Sequence, residues 1–319
     1  MALTRREWLA LCASTSLGPG CKRSPRDIAG TIVGPSVGVG HRLRDATVER
    51  AGGETKHVRV VIAGAGPSGL SAAWRLERAG FKDFALLELE PEPGGTSSFV
   101  THGVVPHPWG AHYVPVPTRD NRALVTLLDE MGALEAPGPD GAPRGKEELL
   151  VREPEERVFV DGRWHEGLWP SAIADADDRA ELARFQQEID RWVAWRDGKG
   201  RRAFSLPLRR SSDDAEVTAL DRMSAAAWLA ERGFQGELLR WWVEYACRDD
   251  YGASLEDTSA WAMLFYFCSR VPAPRAESAP FLAWPEGNGR IVRHLASMVG
   301  ARLATGQLVT DVVPNESAV

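Results

Sequence analysis

The chain has 319 residues, enough for about two domains at roughly 150 residues each, and its 44% apolar, 26% charged and 8% aromatic composition excludes disordered, collagen-like and coiled-coil classes. Lys and Arg number 38 against 44 Asp and Glu, a formal charge of −6 with the arginine pairs scattered, so no nucleic-acid partner is expected. Four cysteines are too few for a disulfide framework, and no apolar run reaches the roughly 18 residues of a transmembrane span.

Thr4-Arg5-Arg6-Glu7-Trp8-Leu9 runs into an apolar stretch to Leu17 and small residues at Gly18-Pro19-Gly20. That order reads as an export signal over residues 1–21, with an amphipathic N-terminal helix as the alternative. The arginine pair before an aromatic residue and leucine resembles a bacterial twin-arginine signal, a route for folded proteins, and implies export to the periplasm or cell envelope. Cys21 stands where a lipoprotein signal has its acylated cysteine, although Pro19 departs from that pattern, so a lipid anchor stays open. Residues 22–56 hold glycines at 30, 34, 38 and 40 with Pro25 and Pro35. Too little apolar surface is available there to offset ordering entropy, and a spacer, or an arm laid on the next domain, is expected.

Val58–Ala63 is a β-branched run that predicts a buried parallel strand. Gly64-Ala65-Gly66-Pro67-Ser68-Gly69 follows, then a helix-forming stretch from Leu70 to Ala79 stopped by Gly80, then a second strand, Phe84–Leu87, ending at Glu88. Gly64 permits a tight strand-to-helix turn, Gly66 lets backbone approach a pyrophosphate, and Gly69 lets the helix pack close to the strand. Free N–H groups and the dipole at the helix start hold phosphate. Glu88, nineteen residues beyond Gly69, can accept bonds from ribose hydroxyls and would repel a 2′-phosphate. Strand, glycines, helix, strand and acid in this order predict a dinucleotide-binding unit.

Gly94-Gly95-Thr96 lies six to eight residues past Glu88, and Pro108-Trp109-Gly110-Ala111-His112-Tyr113 follows a short apolar piece. Here the sequence resembles the FAD-dependent amine oxidase superfamily, which includes phytoene-desaturase-like and protoporphyrinogen-oxidase-like enzymes. The resemblance implies an α/β fold: a Rossmann-type FAD/NAD(P)-binding domain with an inserted, mainly helical substrate domain. It implies FAD as cofactor, with Gly94, Gly95 and Thr96 along the phosphate and ribityl channel and Gly110, Ala111 and His112 near the isoalloxazine ring. The family often has arginine where Thr96 stands. His102, His107 and His112 recur every five residues, but no Cys or Glu stands at ligand spacing, and loop histidines are preferred to a metal site.

Arg119–Gly132 predicts a helix capped by Asp120, with Ala123, Leu124, Leu127, Leu128 and Met131 on one face. Val158–Trp164 predicts a hairpin with an Asp161-Gly162 turn. Helices are then expected over about 178–196, from near Ser224, from Glu237 through Cys247, and from Thr258 to Ser269. Stretches 223–234 and 284–296 are similar to recurring segments of bacterial members of the superfamily. The domain boundaries expected are 57–113 for the first part of the FAD-binding domain, 114–285 for the substrate domain and 286–319 for the return. Eight of the twelve tryptophans fall between 164 and 261. They read mainly as core between helices, with Trp241, Trp242 and Tyr245 the candidates for an aromatic cavity. Cys247 and Cys268 read as two buried thiols, pairing after export being the alternative.

Arg290–Gly300 predicts a helix, and 302–305 and 308–313 two strands returning to the flavin domain. The resemblance assigns Val309 to the strand that places a valine against adenine. The superfamily continues with a late Gly-Asp strand and often a lysine near the flavin, which are not found here. The flavin domain is therefore expected to be incomplete, the chain being either a fragment or a shortened product. The resulting expectation is an exported FAD-dependent oxidoreductase, transferring a hydride from an amine or apolar C–H small-molecule substrate to flavin, with no catalytic base assigned. A non-catalytic truncated remnant is the alternative. An NAD-linked dehydrogenase is disfavoured by the Gly94-Gly95 and Gly110–Tyr113 segments.

Overall fold

The computed structural model describes residues 34, 37–45, 48, 53, 55–101, 104–151, 156–169, 171 and 173–314. The expected signal, Cys21 and His102 lie outside the described residues. All elements below belong to the compact unit Ser36–Val319. Helix α1 (Val37–Arg44) is followed by β1 (Val60–Ala63), α2 (Pro67–Arg78) and β2 (Phe84–Leu87). Strands β3 (Phe99–Val100) and β4 (His107–Pro108) pair as a hairpin, and β5 (Tyr113–Pro115) leads to α3 (Arg122–Glu130). A second hairpin, β6 (Arg157–Val160) and β7 (Arg163–Glu166), precedes α4 (Ala176–Ala194), α5 (Ala215–Thr218), α6 (Ala225–Glu231), α7 (Glu237–Tyr251) and α8 (Ala260–Cys268). Then come β8 (Phe281–Ala283), α9 (Gly289–Val299) and β9 (Leu303–Ala304).

Local chemistry accounts for most boundaries. Asp175 accepts from the backbone of Asp177 and Asp178 while Asp178 returns a bond to its amide, a capping box that starts α4. Ser224 and Ser259 cap α6 and α8 through Ala227 N and Ala262 N. Asp161 and Gly162 both take positive φ, the turn that an Asp-Gly hairpin requires. Helix α3 begins later than the sequence predicts. Asn121 is its N-cap and makes no side-chain cap bond, because a turn closed by Asn121 N on Thr118 O carries Asp120 ahead of the helix. Helix α1 stands where the sequence predicts only a spacer. It buries no residue; His41, Arg42 and Arg44 in its last turn complement the negative end of its dipole.

The parallel sheet has the order β1-β2-β9, with Val60 opposite Phe84 and Leu86 opposite Leu303. Leu70 and Trp74 of α2, Leu127 of α3 and Val292 and Leu295 of α9 pack with Leu86 on one face. Val61, read as part of a buried strand, is 58% exposed, because among the described residues these helices cover one face only. The expected strand over 308–313 is absent, and Val309 lies half-buried in an irregular stretch. Gly306 takes positive φ, and the amides of Gly306 and Gln307 donate to Glu90 O and Glu88 O, so the chain folds across the end of β2 instead of extending the sheet.

A separate core fills the helical part, built on Phe185, Trp192, Trp228, Phe234, Val243 and Met263. Cys247 and Cys268 are buried in it as free thiols. Strand β5 pairs antiparallel with β8, Tyr113 opposite Ala283, a small sheet that the sequence reading lacks.

Glu130 joins three helices on the sheet side. It accepts from Trp74 Nε1 at 2.9 Å, pairs with Arg78, and stands 3.6 Å from His294 Nε2. Burial, reinforced by Arg290, lowers the His294 pKa from its ordinary 6.5. The nearby carboxylate opposes this, but its oxygens are already engaged by Trp74 and Arg78. The folded chain therefore binds fewer protons at His294 than the unfolded one. Its neutral form contributes stability that is complete above 6.5 and is lost as pH falls from there through the lower folded value. His294→Gln should flatten that segment of the stability curve, measured as urea midpoints between about pH 5 and pH 7.5. Trp228, fully buried, should cost about 3–5 kcal/mol when replaced by Ala, read as a lower urea midpoint at unchanged slope.

Candidate functional site

The turn after β1 is held to β2 by Gly64 N donating to Leu87 O at 2.7 Å. A Cβ at Gly69 would stand 1.9 Å from Gly64 O and 3.3 Å from Ile62 Cγ2. Only glycine allows this contact, which seats α2 on β1. Gly66 is the N-cap of α2 and Pro67 follows it, so no side chain at the cap position satisfies the first amides of the helix. They and the positive end of the dipole are left for an anion. Ser68 is exposed on this first turn.

Glu88, 8% exposed, faces the same turn. Its Oε2 accepts from Ala65 N at 2.6 Å and its Oε1 from Glu90 N at 2.9 Å, leaving further lone pairs on both oxygens. Gly94 N donates to Ala65 O at 3.1 Å. Gly94 and Gly95 have φ of 149° and 53°, and a Cβ on Gly95 would lie 3.4 Å from Gly66 Cα. Two glycine loops thus face each other, backbone to backbone. Thr96 O accepts from Ala111 N at 3.0 Å, and a Cβ at Gly110 would come within 2.8 Å of it. His112 is exposed; its Nδ1 is 3.0 Å from Gly110 O, and its ring meets Tyr113 edge-on at 4.9 Å.

The structure therefore brings together Gly64, Gly66, Pro67, Ser68, Gly69, Glu88, Gly94, Gly95, Thr96, Gly110, Ala111 and His112, past the C-terminal ends of β1 and β2. Those strand ends are where open α/β sheets bind ligands. Among the described residues no three His, Cys, Asp or Glu gather as metal ligands.

A profile of the NAD(P)-binding Rossmann-like domain family matches residues 62–131. No curated protein matches the sequence. Among solved structures, the chain is similar to a putrescine oxidase with bound putrescine, at 20% identity and a TM-score of 0.56, over 79% of this chain and 51% of that one. Cyclohexylamine oxidase from Brevibacterium oxydans IH-35A gives 20% identity and a TM-score of 0.51, over 79% of this chain and 51% of that one. The chain has the fold of these amine oxidases. It spans about half of their length.

Within that fold, Asn288 is a candidate that the sequence reading did not single out. Its N donates to Ala111 O at 3.1 Å and its Nδ2 to Tyr113 O at 3.0 Å, while its Oδ1 is buried with no hydrogen-bond partner among the described residues. An asparagine between two glycines just ahead of an amphipathic helix was the available signal. Gly287 is wedged against Pro108, His112 and Ala111, so the 284–289 segment backs the loop that carries His112.

Beyond His112 the site meets the helical part. Arg270 Nη2 is 3.3 Å from Asp250 Oδ2, and its guanidinium lies over Tyr266 at 5.2 Å and Phe281 at 5.9 Å. Burial raises the Tyr113 and Asp250 pKa values, and the Arg270 charge opposes both shifts. Of the three aromatic candidates, Trp241 and Tyr245 line a cavity. Trp242 packs onto the helical core, 5.1 Å from Phe267, and lines a different cavity with Phe185, Ile189 and Val271.

The two helix-start glycines should behave differently. Gly69→Ala should cost about 1–3 kcal/mol through the clash with Gly64 O. Gly66→Ala meets only Gly95 Cα at 4.0 Å and should cost about 1 kcal/mol or less. Thermal midpoints of the two variants check the difference.

Proposed function

We propose that the chain supplies the cofactor-binding and substrate-side parts of an FAD-dependent oxidoreductase, amine-oxidase-like, that takes a hydride from an amine or apolar C–H substrate. The observation carrying this reading is the meeting of two glycine loops, Gly64–Gly69 and Gly94–Gly95, backbone to backbone at Gly66 and Gly95, beside an uncapped helix start and the buried Glu88. An extended diphosphate with a ribose on one side suits that chemistry.

In this reading Gly64, Gly66, Pro67, Ser68 and Gly69 hold the pyrophosphate and Glu88 the ribose hydroxyls. Gly94, Gly95 and Thr96 follow the ribityl side, and Gly110, Ala111 and His112 flank the ring. Bound flavin supplies the hydride acceptor. The chain's own part is to bind and orient. Amides at the start of α2 neutralise phosphate charge, the Glu88 carboxylate disfavours a 2′-phosphate, and Asn288 holds the 111–113 backbone. Export by a twin-arginine route and a lipid anchor at Cys21 are proposed on the sequence alone.

Adding FAD to the purified chain should shift the flavin absorption bands and quench flavin fluorescence. Gly66→Ala, still folded, should weaken that binding at least about tenfold, since its methyl group occupies the space a pyrophosphate needs. Unaltered FAD spectra with the parent chain would sink the proposal.

A further inference from the structure

Phe185, Gln186, Ile189 and Asp190 share one side of α4, at the spacing that aligns helix neighbours. With Trp242, Phe267 and Val271 they line a cavity of about 390 Å³. Its aromatic wall is continuous: the Phe185 ring lies 6.0 Å from Trp242 and 5.2 Å from Phe267, and those two lie 5.1 Å apart. None of the residues lining it belongs to the glycine loops or to the 110–113 segment.

The chain that follows α8 forms the remaining side. Pro272, Pro274 and Pro280 stiffen this stretch, and Arg275, Ala276 and Glu277 line the cavity. Arg275 takes a φ of 62°, a conformation unfavourable to a residue with a Cβ. Asp190 holds it there, its Oδ1 accepting from Arg275 N at 2.8 Å. The Arg275 side chain is 91% exposed, and its Nε stands 4.0 Å from Asp190 Oδ2, beyond hydrogen-bond reach. One carboxylate oxygen thus pins an unfavourable backbone beside the cavity, and the other keeps lone pairs for a further donor.

We propose that this cavity is a ligand site separate from the nucleotide-binding loops, taking a small uncharged aromatic compound that carries one O–H or N–H donor, with residues 272–277 as a strap latched by Asp190. The ring packs on Phe185, Trp242 and Phe267, and the donor bonds to Asp190 Oδ2. A volume of this size suits a single substituted ring. An anion would meet the carboxylates of Asp190 and Glu277. A cation would give up its hydration for a carboxylate that Arg275 already engages.

The test uses the full chain with p-cresol and with p-xylene, which has a methyl group in place of the hydroxyl. In calorimetric titration p-cresol should bind at least about tenfold more tightly, the discrimination expected of a bond to a carboxylate. Trypsin cutting after Arg275 in the folded chain, followed by mass spectrometry, reports the strap. Saturating p-cresol should slow that cut, and Asp190→Asn should speed it at least about tenfold by weakening the latch. Gln186→Trp, at an exposed position on α4, places a ring in the cavity and should abolish p-cresol binding with the thermal midpoint little changed. Equal binding of the two compounds, no p-cresol binding, an unaltered cutting rate in Asp190→Asn, or unaltered p-cresol binding in a folded Gln186→Trp would overturn the proposal.

Discussion

The residue on which most of the nucleotide-binding half depends is Glu88. Its backbone takes part in the sheet edge, N donating to Ala304 O and O accepting from Gln307 N. Its carboxylate reaches across to the first turn, accepting from Ala65 N, and back to Glu90 N. One residue therefore binds the end of β2 to the β1 turn, to β9 and to the segment that follows. A buried carboxylate carries a large desolvation cost, and bonds from two amides offset it. Removal of either amide would leave a charge without its partner, which is more damaging than the loss of an ordinary neutral bond. The arrangement keeps the Gly64–Gly69 and Gly94–Gly95 loops in register, because Ala65, whose N is held by Glu88, also gives its O to Gly94.

The two cores meet that constraint differently. The sheet core is thin, with helices on one face and Val61 exposed on the other, whereas parallel sheets are ordinarily covered on both faces. The helical core is thicker and closes on itself through Phe185, whose ring meets Trp228, Phe234, Trp242 and Phe267. What joins them is short: the β5–β8 pair, the fit of Gly289 against the Phe99 ring, and the hold of Asn288 on the 111–113 backbone. The return from the helical part through β8 passes beside Tyr113, so the 111–113 backbone is fastened to that return.

Features governed by nearby residues were legible in the sequence. Phe84–Leu87 is the strand its short apolar run predicts, the Asp161-Gly162 turn follows from its residue types, and Ser224 begins a helix as expected. The dinucleotide fingerprint was readable because two of its glycines answer to local backbone needs, Gly64 through its positive φ and Gly69 through its contact with Gly64 O. Features that depend on distant partners were not. Nothing local marks Tyr113–Pro115 and Phe281–Ala283 as mates, since three-residue strands carry no usable alternation. Leu308–Val313 has the composition of a strand, yet the hold of Gly306 and Gln307 on the end of β2 decides its path. Asn288 reads as a turn residue until its side-chain amide oxygen is seen to be buried with no partner among the described residues.

The tryptophan excess shows how far composition can go toward function. Trp192 and Trp228 are buried, and Trp169, Trp195, Trp242 and Trp261 pack against the same core, so most of the excess is ordinary filling of a helical interior. Trp241 differs from its neighbour Trp242 by a single step along α7, a rotation of about 100°, which turns it from the core toward Asp249. Helical periodicity separates the two rings in principle, but the pair Trp241-Trp242 leaves open which one faces inward. Leu239, Val243 and Ala246 settle it: with them buried, Trp242 completes the apolar stripe and Trp241 is left beside the carboxylates of the outer face. The chemistry of that cavity thus follows from the phase of one helix.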